Sequence, residues 1–287
     1  VADGSVRTLS AGVSSFIKLP GGKLCVKKNG ISILDISSGS VTPSVVDADF
    51  SRQHLALSRN GFHHPSASVV FFPCGDGGIR MLNYRTGKLT VFCGNRSNDD
   101  WLIFNQDGYW DANAGGSSMV AARMGNEVFP IDQFAVKYNR PDLVLAGFPG
   151  ADPDVIAHFA AEYERRCRRM GVNASSPDPV GNLPSIQDMK VTRKGKTAIV
   201  AFKIASNGTD VARYSIFVNG VPVFGAEGKK TRGASVSETI ELSPGMNRIE
   251  ASCFTSGGAE SIRVAATEEL NDSTLGNLYF VGFGVSA

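Results

Sequence analysis

Two stretches of this sequence repeat one another 48 positions apart. Asn29-Gly30-Ile31-Ser32-Ile33-Leu34-Asp35-Ile36-Ser37-Ser38-Gly39 aligns with Gly77-Gly78-Ile79-Arg80-Met81-Leu82-Asn83-Tyr84-Arg85-Thr86-Gly87. In each copy a glycine turn leads into an alternating apolar and polar strand, and a polar-glycine turn ends it. After the second copy, Lys88-Leu89-Thr90-Val91-Phe92 makes the next strand. A small sheet of this kind cannot bury both of its faces alone, so it must stack on a neighbour. The repeat therefore commits the opening region, residues 1–122, to layered β-sheets. The 32 glycines, beside abundant Val, Ile and Phe, agree with many tight turns between short strands.

A period of 40 to 50 residues with this pattern is the signature of a β-propeller blade. At four strands and roughly 40–45 residues per blade, residues 1–122 hold two to three blades. A closed propeller needs about four or more, so further blades are expected outside this chain. Asp76-Gly77-Gly78-Ile79-Arg80 followed by Thr86-Gly87-Lys88 resembles the closing blades of a WD-repeat propeller. The resemblance departs at the Trp-Asp dipeptide, where Leu82-Asn83 stands in one copy and Leu34-Asp35 in the other. That departure implies a weaker hydrogen-bond network around the repeat's acidic position.

From Trp101 to Asp111 two alternating strands flank Asp107-Gly108, a hairpin signal. Ala114-Gly115-Gly116 breaks the strand, and Val128-Phe129-Pro130-Ile131-Asp132-Gln133-Phe134 and Arg140-Pro141-Asp142-Leu143-Val144 follow. This order of motifs resembles the stretch that follows the propeller in bacterial proteins that join WD-repeats to a caspase-like cysteine peptidase. None of the motifs is itself catalytic.

Residues 123–182 form a connector, and its one firm helix is expected over 153–170. Asp152 is a good N-cap, Pro153 suits the first turn, and Gly171 suits the stop. Val155, Ile156, Phe159, Tyr163, Cys167 and Met170 line one apolar face at three- and four-residue spacing. Arg165, Arg166, Arg168 and Arg169 lie in the last turns, where cations favour the helix dipole. Glu162 with Arg166 and Glu164 with Arg168 stand four apart in the favourable order. The arginine cluster reads either as a solvated helix end or as a surface for an anionic partner. Ser175 to Pro184 reads as a linker.

Strands recur about every ten residues over 183–270, the spacing of a small β-sandwich. The run Leu242 to Ser261 resembles immunoglobulin-like modules of bacterial multidomain proteins, without the Cys-Trp-Cys core of antibody domains. Residues 271–287 read as a linker and a buried strand. Its sequence, Asn277-Leu278-Tyr279-Phe280-Val281-Gly282-Phe283-Gly284-Val285-Ser286, resembles the opening strand of a caspase-like domain. The expected fold class is thus mostly β: partial WD-repeat-like propeller blades, a helical connector and an immunoglobulin-like sandwich.

Little chemistry is legible. The five cysteines are odd in number and lack a CxxC pair, so neither a disulfide framework nor a zinc site of ordinary spacing is expected. In the resembling family the peptidase Cys and His lie beyond Ala287. A dyad of Cys93 with His54, His63 or His64 is disfavoured because Cys93 sits mid-strand. Asp47, Asp49, His54, His63 and His64 lack metal-ligand spacing, and Asp99, Asp100, Asp107 and Asp111 sit where Asp bonds turn backbone. No nucleotide-binding motif occurs, and no cofactor is expected. With 29 basic and 27 acidic residues, a net of +2, overall charge does not draw the chain to nucleic acid. No apolar run is long enough to span a membrane as a helix.

The expected function is a non-catalytic recognition or regulatory scaffold of a caspase-like peptidase protein, binding a protein or peptide and the caspase-like domain of the same or another chain. Trp101, Tyr109 and Trp110 would supply contact area to that partner, or else form buried blade core, the favoured reading of the two. Arg165, Arg166, Arg168 and Arg169 would be further partner contacts. Two other classes stand beside it. A β-scaffold hydrolase with Asp or His chemistry would show turnover, and a surface adhesion module would bind sugar or matrix. The opening Val1-Ala2-Asp3-Gly4, with no initiator Met, suggests an excised or mature piece; cytoplasmic placement is favoured over export.

Overall fold

The structure is a computed structural model and describes residues 15–27, 31–43, 61–64, 67–74, 77–95, 97–176 and 182–272. The chain is mostly β, in antiparallel sheets, and divides into two compact units, one to Arg168 and one from Arg169. The expected strand over residues 275–287 lies outside the described residues, as do Asp47, Asp49 and His54.

In the first unit, β1 (Ser15–Leu19), β2 (Lys23–Lys27), β3 (Ile31–Asp35) and β4 (Val41–Pro43) form a four-stranded meander. A second meander follows in strict sequence order: β5 (Phe62–His63), β6 (Val69–Pro73), β7 (Ile79–Asn83), β8 (Lys88–Gly94), β9 (Trp101–Asn105) and β10 (Trp110–Ala112). Leu19, Cys25 and Ile31 from the first sheet share a core with Val70, Phe72, Leu82 and Leu89 from the second. Each such buried aliphatic side chain stabilises the stack by about 1.5–3 kcal/mol.

The sequence repeat has a structural counterpart. Both copies place their strand third in a meander, β3 in one and β7 in the other. Both then turn on the same device. Asp35 Oδ1 accepts the Ser37 and Ser38 N–H groups at 2.9 Å, and Asn83 Oδ1 accepts those of Arg85 and Thr86 at 3.1 and 3.2 Å. Asn83 thus does what the acidic residue does. Gly39 and Gly87 close the turns at φ 70° and 72°, where an L side chain is strained. The second sheet does not stop at four strands, however. The Asn95 N–H bonds to the Asp100 carbonyl at 2.8 Å, and this short loop returns the chain as the antiparallel neighbour β9. β10 pairs in turn with β9 across the Asp107-Gly108 turn.

β11 (Ala121–Met124) and β12 (Glu127–Pro130) make a separate hairpin, followed by the short helices α1 (Ala135–Tyr138) and α2 (Pro141–Leu145). Helix α3 runs Pro153–Met170. Asp152 Oδ1 accepts the Asp154 N–H at 2.9 Å, and Gly171 ends the helix at φ 58°. No described helix is long and apolar enough to cross a membrane.

The second unit is a sandwich. One sheet orders β13 (Ser185–Lys194), β14 (Thr197–Ala205) and β18 (Ser235–Glu241). The other orders β16 (Val221–Pro222), β15 (Arg213–Val218), β19 (Gly245–Phe254) and β20 (Val264–Leu270), with β17 (Lys229–Lys230) also on β15. Alternate residues of the two sheets meet in one core: Val200 and Phe202 of β14, Val236 and Ile240 of β18, Ile216 of β15, and Ile249, Ala251 and Cys253 of β19.

Candidate functional site

Along one side of the sandwich the two sheets end in β18 and in the short pieces β16 and β17. A cleft of about 630 Å³ opens there, lined by Tyr214, residues 227–230, Arg232, Gly233 and residues 235–238. Its floor is a three-residue network. The Tyr214 hydroxyl donates to Glu238 Oε1 at 2.6 Å, and Lys229 Nζ bonds Glu238 Oε2 at 2.7 Å. Lys229 Nζ also lies 4.3 Å from the Phe224 ring centroid. Lys230 and Arg232 stand exposed on the rim, without an ion-pair partner among the described residues.

The network polarises its members. Burial, and then the Glu238 acceptor, push the Tyr214 hydroxyl well above the ordinary phenol range. Burial alone would raise the Glu238 carboxyl, but the Lys229 ammonium and Tyr214 hydroxyl outweigh it and hold it below the usual range. Neutral-pH chemistry therefore meets a protonated phenol and an ionised carboxylate.

Backbone geometry places β17. Gly228 takes φ 71°, and a Cβ there would lie 2.5 Å from the Tyr214 carbonyl oxygen and 2.9 Å from Ser215 Oγ. Only a glycine lets the loop approach β15 this closely.

The aromatic residues singled out from the sequence divide. Trp110 is buried, 7% exposed, against Leu102 and Ile131, and so offers no free contact face. Trp101 is half-buried, its backbone N–H on Asn113 Oδ1 at 3.0 Å. Tyr109 is half-buried, with its ring 5.7 Å from that of Tyr138 and 5.8 Å from the Arg140 guanidinium.

The arginines divide as well. Glu162 pairs with Arg165 at 2.8 Å rather than with Arg166, and Glu164 pairs with Arg168 at 3.7 Å on the exposed face. Arg166 turns inward instead, donating to the Asn139 carbonyl at 2.5 Å and to Asn139 Oδ1 at 3.2 Å. Arg169 is exposed. Arg165 and Arg168 are thus occupied on their own helix and Arg166 holds the connector, which leaves no contiguous cationic surface of four.

Sequence reasoning passed over Arg140 as a centre. Its guanidinium lies 3.8 Å from the Tyr163 centroid and forks onto Asp142 at 2.8 and 2.5 Å. The Asp142 side chain is 3% exposed. The signal was present as Arg140-Pro141-Asp142, where proline fixes the backbone between two opposite charges.

Other chemistry-bearing groups are held structurally. Burial pushes the Cys25 thiol up to about 12 and the Cys253 thiol up to about 11, so neither is a thiolate near neutral pH. His63 Nε2 lies 3.3 Å from the Tyr84 hydroxyl. Asp111 Oδ1 accepts the Ala112 N–H at 2.9 Å, and burial raises its carboxyl. Among the described residues no three His, Cys, Asp or Glu side chains group as metal ligands.

No family model and no curated protein matches the chain. Several solved structures are partly similar, among them the following three. The spore cortex lytic enzyme SleM of Clostridium perfringens is 18% identical over 30% of this chain and 27% of its own, with a TM-score of 0.25. Fibronectin(III)-like modules of CbhA from Clostridium thermocellum are 11% identical over 36% of this chain and 55% of theirs, with a TM-score of 0.27. The extracellular domain of a hybrid two component system from B. thetaiotaomicron is 10% identical over 89% of this chain and 44% of its own, with a TM-score of 0.21. The chain thus spans less than two thirds of each of these structures.

Proposed function

We propose that this chain is a non-catalytic recognition and regulatory scaffold whose partner is a protein or peptide. On the sequence resemblance, that partner is a caspase-like cysteine peptidase domain of the same or another chain. In this reading the two meanders of the first unit are propeller-like blades of the WD-repeat kind, and the second unit is an immunoglobulin-like module.

The observation that carries the reading is the bonding in the cleft, where the Tyr214 hydroxyl and the Lys229 ammonium both hold the Glu238 carboxylate, at 2.6 and 2.7 Å. Acid–base catalysis needs groups that exchange protons near the working pH. Here the Tyr214 hydroxyl is pushed up and the Glu238 carboxyl down, both away from neutrality. Such a cleft offers fixed donors and charges, which suits binding.

Turnover assays with peptide and glycoside substrates test this, run beside cross-linking of the chain in lysate of its source cells. The expected result is no turnover and covalent adducts that include a caspase-like peptidase. Turnover that is abolished by substituting a cleft residue such as Glu238 would overturn the reading.

A further inference from the structure

We propose that the open edge of β18 takes an acidic, extended segment of a protein partner as an added strand, its carboxylates held by Lys230 and Arg232. The inference rests on the recognition reading above and names its site and ligand class.

The ladder shows which backbone groups are free. The Ile204 N–H donates to the Ala234 carbonyl at 2.7 Å. Bonded pairs recur at every second residue of an antiparallel ladder, so Val236, Glu238 and Ile240 bond to β14. Ser235, Ser237 and Thr239 therefore turn their N–H and C=O groups toward the free edge, and the first two of these residues line the cleft.

Edges of this kind are normally blunted, by short length, a bulge, lysine or proline. The other sheet edges in this unit are guarded. β13 carries a bulge between Gln187 and Lys190 and the charges Lys190, Arg193 and Lys194. Its Arg193 reaches Glu268 of β20 at 3.4 Å, which ties those two edges together. β16 and β17 are two residues each. β18, in contrast, keeps an unbroken register over seven residues, with neither proline nor lysine. Its two charges are Glu238, committed to Lys229, and the exposed Glu241 at the end away from the cleft residues Ser235 to Ser237. A long regular edge beside a cleft is the geometry of strand addition.

Charge chooses the occupant. Lys229, Lys230 and Arg232 stand within four residues, and Lys229 is already committed to Glu238 at 2.7 Å. Glu227 and Glu238 offset two of the three cations, so one net positive charge remains, shared by the exposed Lys230 and Arg232. Alternate side chains of an added strand share one face, roughly 7 Å apart, a spacing at which two carboxylates can meet two rim cations.

Fluorescence anisotropy on the full chain, with labelled peptides, tests the proposal. The probe alternates glutamate with valine and threonine, and its control replaces each glutamate by glutamine. The acidic peptide is expected to bind about tenfold more tightly than the control and to weaken as salt rises. The double variant K230E/R232E, at two exposed positions, is expected to remove that preference. N-methylation of alternate peptide residues is expected to abolish binding in one phase and spare it in the other, because only every second N–H faces β18. Equal binding of the two peptides, or indifference to N-methylation in both phases, would overturn the proposal. A cross-linked partner that still binds K230E/R232E with full affinity would sink this site while sparing the scaffold reading. Strand-phased acidic binding by a chain that captures no protein would instead sink the scaffold reading alone.

Discussion

The Tyr214 hydroxyl and Glu238 Oε1 meet at 2.6 Å, and this bond joins β15 of one sheet to β18 of the other across the floor of the cleft. Tyr214 is buried, 6% exposed, and Glu238 is half-buried. Tyr214→Phe keeps the ring against Phe202 and Phe224 and deletes only the donor. The expected loss is about 2 kcal/mol, the size of a hydrogen bond to a charged acceptor, read by urea unfolding. An unchanged midpoint would show that the bond is not formed in solution.

The same network sets a pH dependence. The Glu238 carboxyl is held below its ordinary range in the folded state, and Asp142 likewise, beside the Arg140 guanidinium. A depressed folded pKa stabilises the fold above the unfolded value, about 4 for carboxylates, and that stability is lost as pH falls through the lower folded value. The unfolding temperature is therefore expected to be level near neutrality and to fall below about pH 4. In Glu238→Gln the fall should be shallower, which a series of thermal melts would detect.

Much of this was legible locally. The turns after β3 and β7 depend on one side chain, Asp35 or Asn83, and a glycine four residues on, all contiguous in sequence. Helix α3 is bounded by Asp152 and Gly171, both local signals. What failed to show was anything decided by distance in sequence or by a choice between equals. Glu162 can reach Arg165 or Arg166, at three or four residues, and only the position of Asn139 makes Arg166 turn inward. The cleft joins Tyr214 to Glu238 across two sheets, and no period along either strand encodes that pairing. The extension of the second meander to six strands hangs on the loop from Asn95 to Asp100, which reads equally well as the gap between blades.

Arg140 is the centre of the connector. It stacks on Tyr163 and forks onto the buried Asp142, and its own N–H bonds the Trp110 carbonyl at 2.9 Å. Lysine keeps the charge but has neither the fork nor the flat face. Arg140→Lys is expected to destabilise the first unit by about 2–3 kcal/mol, and Arg140→Ala by about 3–5 kcal/mol, because Asp142 is then buried without its partner. Differential scanning calorimetry would check this, and a shift of less than a degree in both variants would refute it.

Gly228 is the backbone key to the cleft. A methyl group there meets the Tyr214 carbonyl at 2.5 Å while φ stays at 71°, so β17 must lift from β15. Gly228→Ala is expected to cost about 1–3 kcal/mol through the clash and the left-handed backbone. Amide exchange at Lys229 and Lys230 should rise with it. Gly233→Ala is the matched control, because a Cβ at Gly233 meets nothing within 4 Å. Equal behaviour of the two variants would contradict the close approach at Gly228.

Arg213 tests whether a buried charge can be a liability. It is 4% exposed, its guanidinium 5.0 Å from the Phe254 centroid, and its Nε and Nη2 find no hydrogen-bond partner among the described residues. Burial, the largest influence, pulls its guanidinium pKa down, and the carboxylates of Glu227 and Glu260 only partly compensate. An unsatisfied buried donor costs about 1–3 kcal/mol, and removing it together with its charge recovers that cost when the replacement fills the space. Methionine ends level with the arginine Nε, two atoms short of the terminal guanidinium nitrogens, but it is flexible, apolar and able to fill irregular space beside the Phe254 ring. Arg213→Met is therefore expected to leave the unfolding free energy unchanged or raise it by up to about 2 kcal/mol. Arg213→Lys keeps the buried charge and forfeits the planar contact, so it should destabilise the unit. Urea unfolding of both variants decides the matter. Destabilisation by methionine as large as that by lysine would mean that Arg213 holds its place through bonds of its own.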